Sequence, residues 1–265
     1  MRPPISDKNG RSIGAVEVRS DITRIKELDM VKDQFITVAA HEIRTPLTAI
    51  KGFAQALARA PNACQPKHRK ALETMVQQSD RIDALIRDFV DASRMRWGEV
   101  ELSMRRIELS ALVAEAADRA ATATGRHRLL LSRADFAWVN ADPDRLKQVV
   151  ANLLDNAIRY SPRGGDVEVQ VIREERRAVV SVRDWGLGIP KDRHAHIFEM
   201  FYRAHIGTPF DYGGLGVGLY ISREIVRRHR GEMWFESEEG RDSTFYFSLP
   251  LAVGRGTRDK AVQQR

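Results

Sequence analysis

Phe35–Leu57, FITVAAHEIRTPLTAIKGFAQAL, sets one histidine beside an acid on a helix that a proline interrupts without ending. A free imidazole has a pKa of about 6.5, so near pH 7 it is mostly neutral and one ring nitrogen keeps a lone pair able to attack phosphorus. His41 is therefore a candidate nucleophile, and Glu42 can take or orient the proton on the other ring nitrogen. Neighbouring helical residues do not share a face, so Glu42 must reach round to the ring, whereas Thr45, four residues on, lies on the face of His41. A hydroxyl there could position water against a phosphorylated ring. Pro46 removes one helical hydrogen bond, but Leu47, Ile50, Ala54 and Leu57 continue the apolar spacing beyond it, which predicts a kink and not a stop. A lone histidine on an amphipathic helix is most often an ordinary surface or core residue, so the weight falls on distant motifs.

Composition narrows the class. With 265 residues, 43% hydrophobic and 30% charged, the chain suits a soluble globular protein with one or two cores. It has no apolar run long enough to span a bilayer, and MRPPISDKNGR is not a signal peptide. The expectation is a cytoplasmic protein, or the cytoplasmic part of a longer membrane-associated receptor. The single cysteine, Cys64, excludes an internal disulfide and argues against structural zinc. The net charge of +7 raises nucleic acid as a partner, but Arg and Lys alternate with Asp and Glu and no aromatic stripe is interleaved, so none is expected.

Residues 1–21 read as a hairpin, Ile5 to Asp7, an Asn9-Gly10 turn, then Ile13 to Val18. Two strands cannot bury a core, so this end reads as the last piece of a larger domain or a strand pair borrowed by a partner. A helix capped by Asp21 or Thr23 follows and runs into the His41 helix, with Ile22, Ile25, Leu28, Phe35 and Ala39 on a loose heptad seam. Pro61 and Pro66 bracket a short connection to a second helix carrying Leu72, Met75, Ile82, Leu85, Ile86 and Phe89. Such a helical hairpin over 22–98 exposes too much apolar surface alone, and pairing with a second copy gives a four-helix bundle, hence a homodimer. Packing on the C-terminal domain is the alternative.

From 99 to 252 the pattern changes to a mixed sheet and helices. Strands are expected at Val100–Ile107, Arg128–Leu131, Ala137–Asn140, Asp166–Arg173, Val179–Asp184, Gly231–Glu238 and Ser243–Leu249. Helices are expected at Ser110–Ala123, Asp144–Tyr160, Lys191–Phe198 and Gly218–His229. Runs of antiparallel strands with helices on one face give a two-layer α/β sandwich, so the fold class is α+β. Residues 253–265 are polar and read as a disordered tail.

Three stretches of this part carry chemistry. Asn152 and Asn156 project from one helix face, followed by Arg159 and Tyr160. An amide oxygen from Asn156 together with triphosphate oxygens would suit Mg²⁺, Arg159 could neutralise phosphate, and Tyr160 could lie on a base. Asp184 ends an apolar strand and breaks into Gly186 and Gly188. A carboxylate there can accept from the amine of adenine and repel the carbonyl of guanine, which selects ATP over GTP. Gly213, Gly214, Gly216 and Gly218 then lead into a helix beginning at Leu219, and bare backbone N–H groups at a helix N-terminus suit a triphosphate. Each stretch has an ordinary alternative: solvated Asn residues, an Asp capping a turn, a glycine loop without a ligand.

Together, His41 in HEIRTPL, Asn152 and Asn156 in NLLDNAIRYS, Asp184 in DWGLGIP, IFEMFYR, and GGLGVGLYI resemble the H, N, G1, F and G2 boxes of a bacterial sensor histidine kinase, in order, over residues 5–251. The resemblance implies a dimerisation and phosphoacceptor hairpin followed by an ATP-binding domain of the Bergerat type. It implies phosphorylation of His41 from Mg-ATP and transfer to an Asp of a response regulator. It also implies Asn156 as the Mg²⁺ ligand, Asp184 as the adenine contact, Glu42 as the acid or base beside His41, and Thr45 as serving phosphatase activity. The wording NGRSIGAVEVRSDIT is similar to the closing strands of a PAS sensor domain. Against the family pattern, Trp185 replaces an Asn, Arg230 and Asp242 stand where Gly is frequent, and AHIGTPFDY, between Arg203 and Gly213, lacks basic residues, which implies either slow turnover or a larger share of charge neutralisation by Arg159 and His205. Two rivals remain at this level: an ATPase of the same fold, disfavoured because Asn152 stands where such enzymes place a Glu base, and a dimeric scaffold that binds nucleotide without transfer.

Overall fold

The computed structural model describes residues 4–6, 12–15, 23–58, 66–96, 101–210, 212 and 214–252. Up to His41 the chain forms a two-stranded antiparallel pair, β1 (Pro4–Ser6) and β2 (Ser12–Ala15), and the first half of helix α1 (Thr23–Ala58). The Asn9-Gly10 turn, Asp21 and Ile22 lie outside the described residues. The helix runs 36 residues with Pro46 inside it, so the proline does not stop it. The carbonyl that Pro46 leaves without its helical donor belongs to Glu42.

From Glu42 onward, the rest of α1 is followed by α2 (Pro66–Arg96) and then by an α/β part. Along these helices Leu47, Leu72, Val76 and Ile86 are exposed to between 46% and 60%, so a single chain leaves much of the predicted apolar spacing uncovered.

The α/β part contains β3 (Arg105–Glu108), α3 (Leu109–Ala123), β4 (His127–Ala134), β5 (Trp138–Ala141), α4 (Pro143–Arg159), β6 (Gly165–Arg173), β7 (Arg177–Asp184), α5 (Gly218–Arg228), β8 (Glu232–Glu238) and β9 (Asp242–Pro250). The main sheet runs β4-β6-β7-β9-β8, and β3 pairs with β5 separately. One face of the sheet is apolar by alternation: Val167, Val169 and Val171 on β6, Ala178, Val180 and Val182 on β7, Phe245, Phe247 and Leu249 on β9 are all buried. Helices α3, α4 and α5 cover that face, giving the expected two-layer arrangement. Helix α4 meets the sheet with Leu146, Val149, Val150, Leu153, Leu154 and Ala157, spaced by three and four and none more than 3% exposed. It starts where Asp142 accepts from the N–H groups of Asp144 and Arg145, with Pro143 in the first turn. The N–H of Asp142 in turn donates to Nε2 of buried His229, whose Nδ1 faces the Ile225 carbonyl at 2.7 Å. With Nε2 accepting and Nδ1 facing a carbonyl, His229 ties the start of α4 to the end of α5.

The sheet is mixed, as expected: β4 lies parallel to β6 and the other pairs are antiparallel. The chain reaches β6 only after β5 and α4, a long connection of the kind parallel strands require. Two expectations are corrected. The strand expected over Val100–Ile107 begins only at Arg105, since the N–H of Ser103 is taken by a side-chain oxygen of Asp142 and is withdrawn from any ladder; Val100 itself lies outside the described residues. Lys191–Phe198 is not an α-helix: only Lys191–Arg193 forms a 3₁₀ turn, without a side-chain cap. Bonds from Arg193 to Pro190, His196 to Arg193 and Glu199 to His196 are all of the three-residue type.

Candidate active site

The free edge of α4, beside its buried face, carries Asn152, Asn156 and Arg159. All three line a cleft together with Tyr160, Asp184, Gly188, Gly214, Gly216, Gly218 and Leu219. Of the cleft residues expected from sequence and among the described residues, only Gly186 stands back from the lining. It supports Asp184 from behind, its N–H donating to Oδ1 at 2.9 Å. A Cβ on Gly186 would sit 2.1 Å from the Tyr160 carbonyl oxygen, so the loop after β7 can close on the end of α4 only with glycine there. Trp185 is 45% exposed and lies under the Arg183 guanidinium, 4.8 Å from its ring, which leaves the cleft unaffected by this departure from the family pattern.

Asn152 has a structural share. Its Nδ2 donates to Ser222 Oγ at 2.9 Å, and a Cβ on Gly218 would meet its Oδ1 at 2.2 Å. The bare Cα of Gly218 is what lets α5 begin against α4. Arg159 pairs with Asp155 at 2.6 Å, so part of its charge is already answered before any anion arrives.

Asp184 is 4% exposed at the end of β7. Burial pushes its carboxyl up to about 7, and Asp242 acts in the same direction; the Gly186 N–H and the Ser161 hydroxyl pull it back only partly. Asp88 on α2 also lines the cleft, and burial together with neighbouring Asp91 raises it to about 6. The same helix is tied to α4 through Asp91, which accepts from Arg145 at 3.0 Å and from Gln148 at 2.8 Å.

The acid of the first motif, Glu42, is buried, and its Oε2 accepts the Gly214 N–H at 2.8 Å. Arg203 approaches Oε1 at 3.4 Å and donates to the Gly214 carbonyl at 3.1 Å, while Arg81 lies 3.8 Å from Oε2. Thr45 is exposed on α1. The side chain of His41, and Gly213, lie outside the described residues. Sequence reasoning missed Asp88, Ile189, Ile197, Tyr202, Ser243 and Phe245, which also line the cleft. The Phe-Tyr-Arg of IFEMFYR was a signal for Tyr202 and Arg203, whereas nothing in local spacing marks Ser243, Phe245 or Asp88.

The residues fit a magnesium nucleotide. Asn156 offers a hard amide oxygen of the kind Mg²⁺ accepts alongside water and phosphate. Asp184 offers the base a buried group able to discriminate hydrogen-bond donors from acceptors, and the Gly214 N–H and Arg203 already hold an anion in the form of the Glu42 carboxylate.

Residues 31–97 match the family model for the His Kinase A (phospho-acceptor) domain, and residues 141–253 match that of the histidine kinase-, DNA gyrase B- and HSP90-like ATPase. The chain is 31% identical over 252 residues to the sensor histidine kinase WalK of Bacillus subtilis, covering 93% of this chain and 41% of WalK. It is 33% identical over 225 residues to the sensor histidine kinase RppB of Synechocystis, covering 83% and 49%. It thus spans about half the length, or less, of these curated relatives. Among solved structures it resembles full-length ShkA in complex with AMPPNP (25% identity, TM-score 0.61, 84% of this chain and 46% of that one). It shares its fold with histidine kinase ThkA in complex with the response regulator TrrA (22% identity, TM-score 0.65, 94% and 74%). The chain belongs to the sensor histidine kinases.

Proposed function

We propose that the chain is an ATP-dependent protein-histidine kinase of a two-component system, which phosphorylates His41 and passes the phosphoryl group to an aspartate of a response-regulator receiver domain. The observation that carries this reading is the meeting, on one cleft, of Asn156, Asp184 and the glycine segment before α5, in a chain that also bears HEIRTPL. Asn156 holds Mg²⁺, which when bound screens the charge of the triphosphate. Asp184 accepts from the adenine amine, Tyr160 borders the base, and Arg159 and Arg203 face phosphate oxygens. A neutral nitrogen of His41 attacks the terminal phosphorus, the bond to the bridging oxygen breaks, ADP leaves, and Glu42 receives the proton from the other ring nitrogen.

Residues 22–98 act as the dimerisation and phosphoacceptor region and 99–252 as the catalytic domain. The exposed Leu47, Leu72, Val76 and Ile86 support a second copy as the partner of the helices. Residues 1–21 serve as the end of a PAS-like sensor domain. The exposed hydroxyl of Thr45 suits a phosphatase role towards the regulator. Among the described residues no helix is long and apolar enough to cross a membrane.

Incubation with labelled ATP and Mg²⁺ should give an acid-labile, base-stable label that is lost in His41→Gln. A label that persists in the variant rejects His41 as the acceptor.

A further inference from the structure

Between Arg203 and Gly214 the chain has no lysine or arginine, but it has one histidine. Nε2 of His205 lies 3.1 Å from the carbonyl oxygen of Gly188. The His205 ring packs on Tyr160 with centroids 5.4 Å apart, and Tyr160 meets Tyr212 edge-on at 5.8 Å. Its own carbonyl accepts from both the N–H and the hydroxyl of Thr208, which fixes the backbone on the far side of the ring. One imidazole therefore joins the 203–214 segment to the loop after β7 and to the end of α4.

The far end of this link is rigid. A Cβ on Gly188 would lie 2.0 Å from the Glu238 carbonyl oxygen, so the loop is pressed against the end of β8. Gly240 donates to the Leu187 carbonyl at 2.7 Å, and Leu187 donates to that of Tyr160 at 3.0 Å. A carbonyl can only accept, so Nε2 must carry hydrogen. Burial lowers the His205 pKa, with Arg193 acting the same way against Glu239 and the Gly188 carbonyl, so at neutral pH the ring is the uncharged Nε2–H tautomer. The sequence suggested a cation for phosphate at this position; the geometry gives a neutral donor turned to the backbone.

We propose that His205 is a positioning residue that clips the segment after Arg203 to the loop following Asp184, so that the phosphate-facing Arg203 and Gly214 are ordered before nucleotide arrives. The inference deepens the kinase reading and rests on it for the identity of the ligand. Ordering a loop in advance lowers the entropy cost of binding.

The test compares wild type, His205→Ala and His205→Gln, whose side-chain N–H can still reach Gly188. In nucleotide-free protein, amide hydrogen exchange across residues 206–212 should be faster in His205→Ala, at an unchanged melting temperature, and close to wild type in His205→Gln. By calorimetric titration, ADP and AMPPNP should bind His205→Ala about five- to tenfold more weakly, the scale of one hydrogen bond with a ring contact. Adenosine, which does not reach the phosphate side, should bind the two alike. Unchanged exchange overturns the clip whether or not nucleotide binds, and equal losses for adenosine and ADP reduce His205 to support of the base wall. Failure of wild type to bind any nucleotide, with the exchange difference intact, rejects the kinase reading and keeps the clip.

Discussion

The carboxylate of Glu42 accepts the backbone N–H of Gly214 at 2.8 Å, across 172 residues of sequence. The acid beside the candidate phosphoacceptor therefore occupies donors that a triphosphate would use, together with Arg203 at 3.4 Å. A group that is to receive a proton must first be released from them, and an anion that takes those donors is the natural means of release.

Glu42→Gln keeps the shape and removes the charge that competes for Gly214 and Arg203. ATP is expected to bind this variant more tightly, by about tenfold or more, the scale of one charge-assisted hydrogen bond, while phosphorylation of His41 falls. Titration with ATP decides the matter; affinity equal to or below wild type refutes the competition.

Asp184 gives a pH signature. Its folded pKa of about 7 stands above the ordinary 3.8, so its contribution to stability is full below about pH 4 and is lost as pH rises through 7. Between pH 6 and 8 wild type should lose thermal stability relative to Asp184→Asn. Adenine, which donates its amine, needs the ionised form, so ADP binding near pH 7 should release a fraction of a proton. Binding enthalpies in two buffers of different ionisation heat measure that release, which should vanish in the variant.

Asn156→Ala should fold normally and lose Mg-ATP affinity by at least tenfold, with a smaller loss when Mg²⁺ is omitted. Unchanged affinity in both titrations rules out the metal role.

Thr45→Ala should leave phosphorylation of His41 within about twofold and slow dephosphorylation of the regulator. Equal loss of both activities points to damage of α1.

Arg230 holds φ at 60° with its side chain exposed, a backbone conformation that costs a non-glycine residue about 1 kcal/mol or more. Arg230→Gly should raise stability by about 0.5–1 kcal/mol, after the loss from a freer unfolded chain, as read from the urea midpoint. A destabilised variant contradicts the strain.

Much of the cleft was legible because its residues sit at fixed intervals on single elements. Asn152 and Asn156 share a face of α4 by helical geometry alone, and Asp184 stands where an apolar strand meets two glycines. Ser243 and Phe245 reach the same cleft by pairing of β9 with β7, and Asp88 reaches it from α2, relations that no local pattern encodes. The stretch after Pro190 shows the opposite failure: its composition suits a helix, but the turn has no side-chain cap and Nε2 of His194 faces the Ile189 carbonyl at 2.9 Å. The sheet was legible as a mixed one, but not which strand runs parallel, because alternation reports which face is buried and is silent on strand direction.

Among the described residues β4 lies outermost and pairs on one side only, so its other flank presents open backbone groups that a neighbouring molecule could extend into a continuous ribbon. Arg128 and Arg133 sit on this strand, bound to Asp166 and Asp135, and guard it with fixed charge. Neutralising both would leave the domain's chemistry alone and its solubility unprotected.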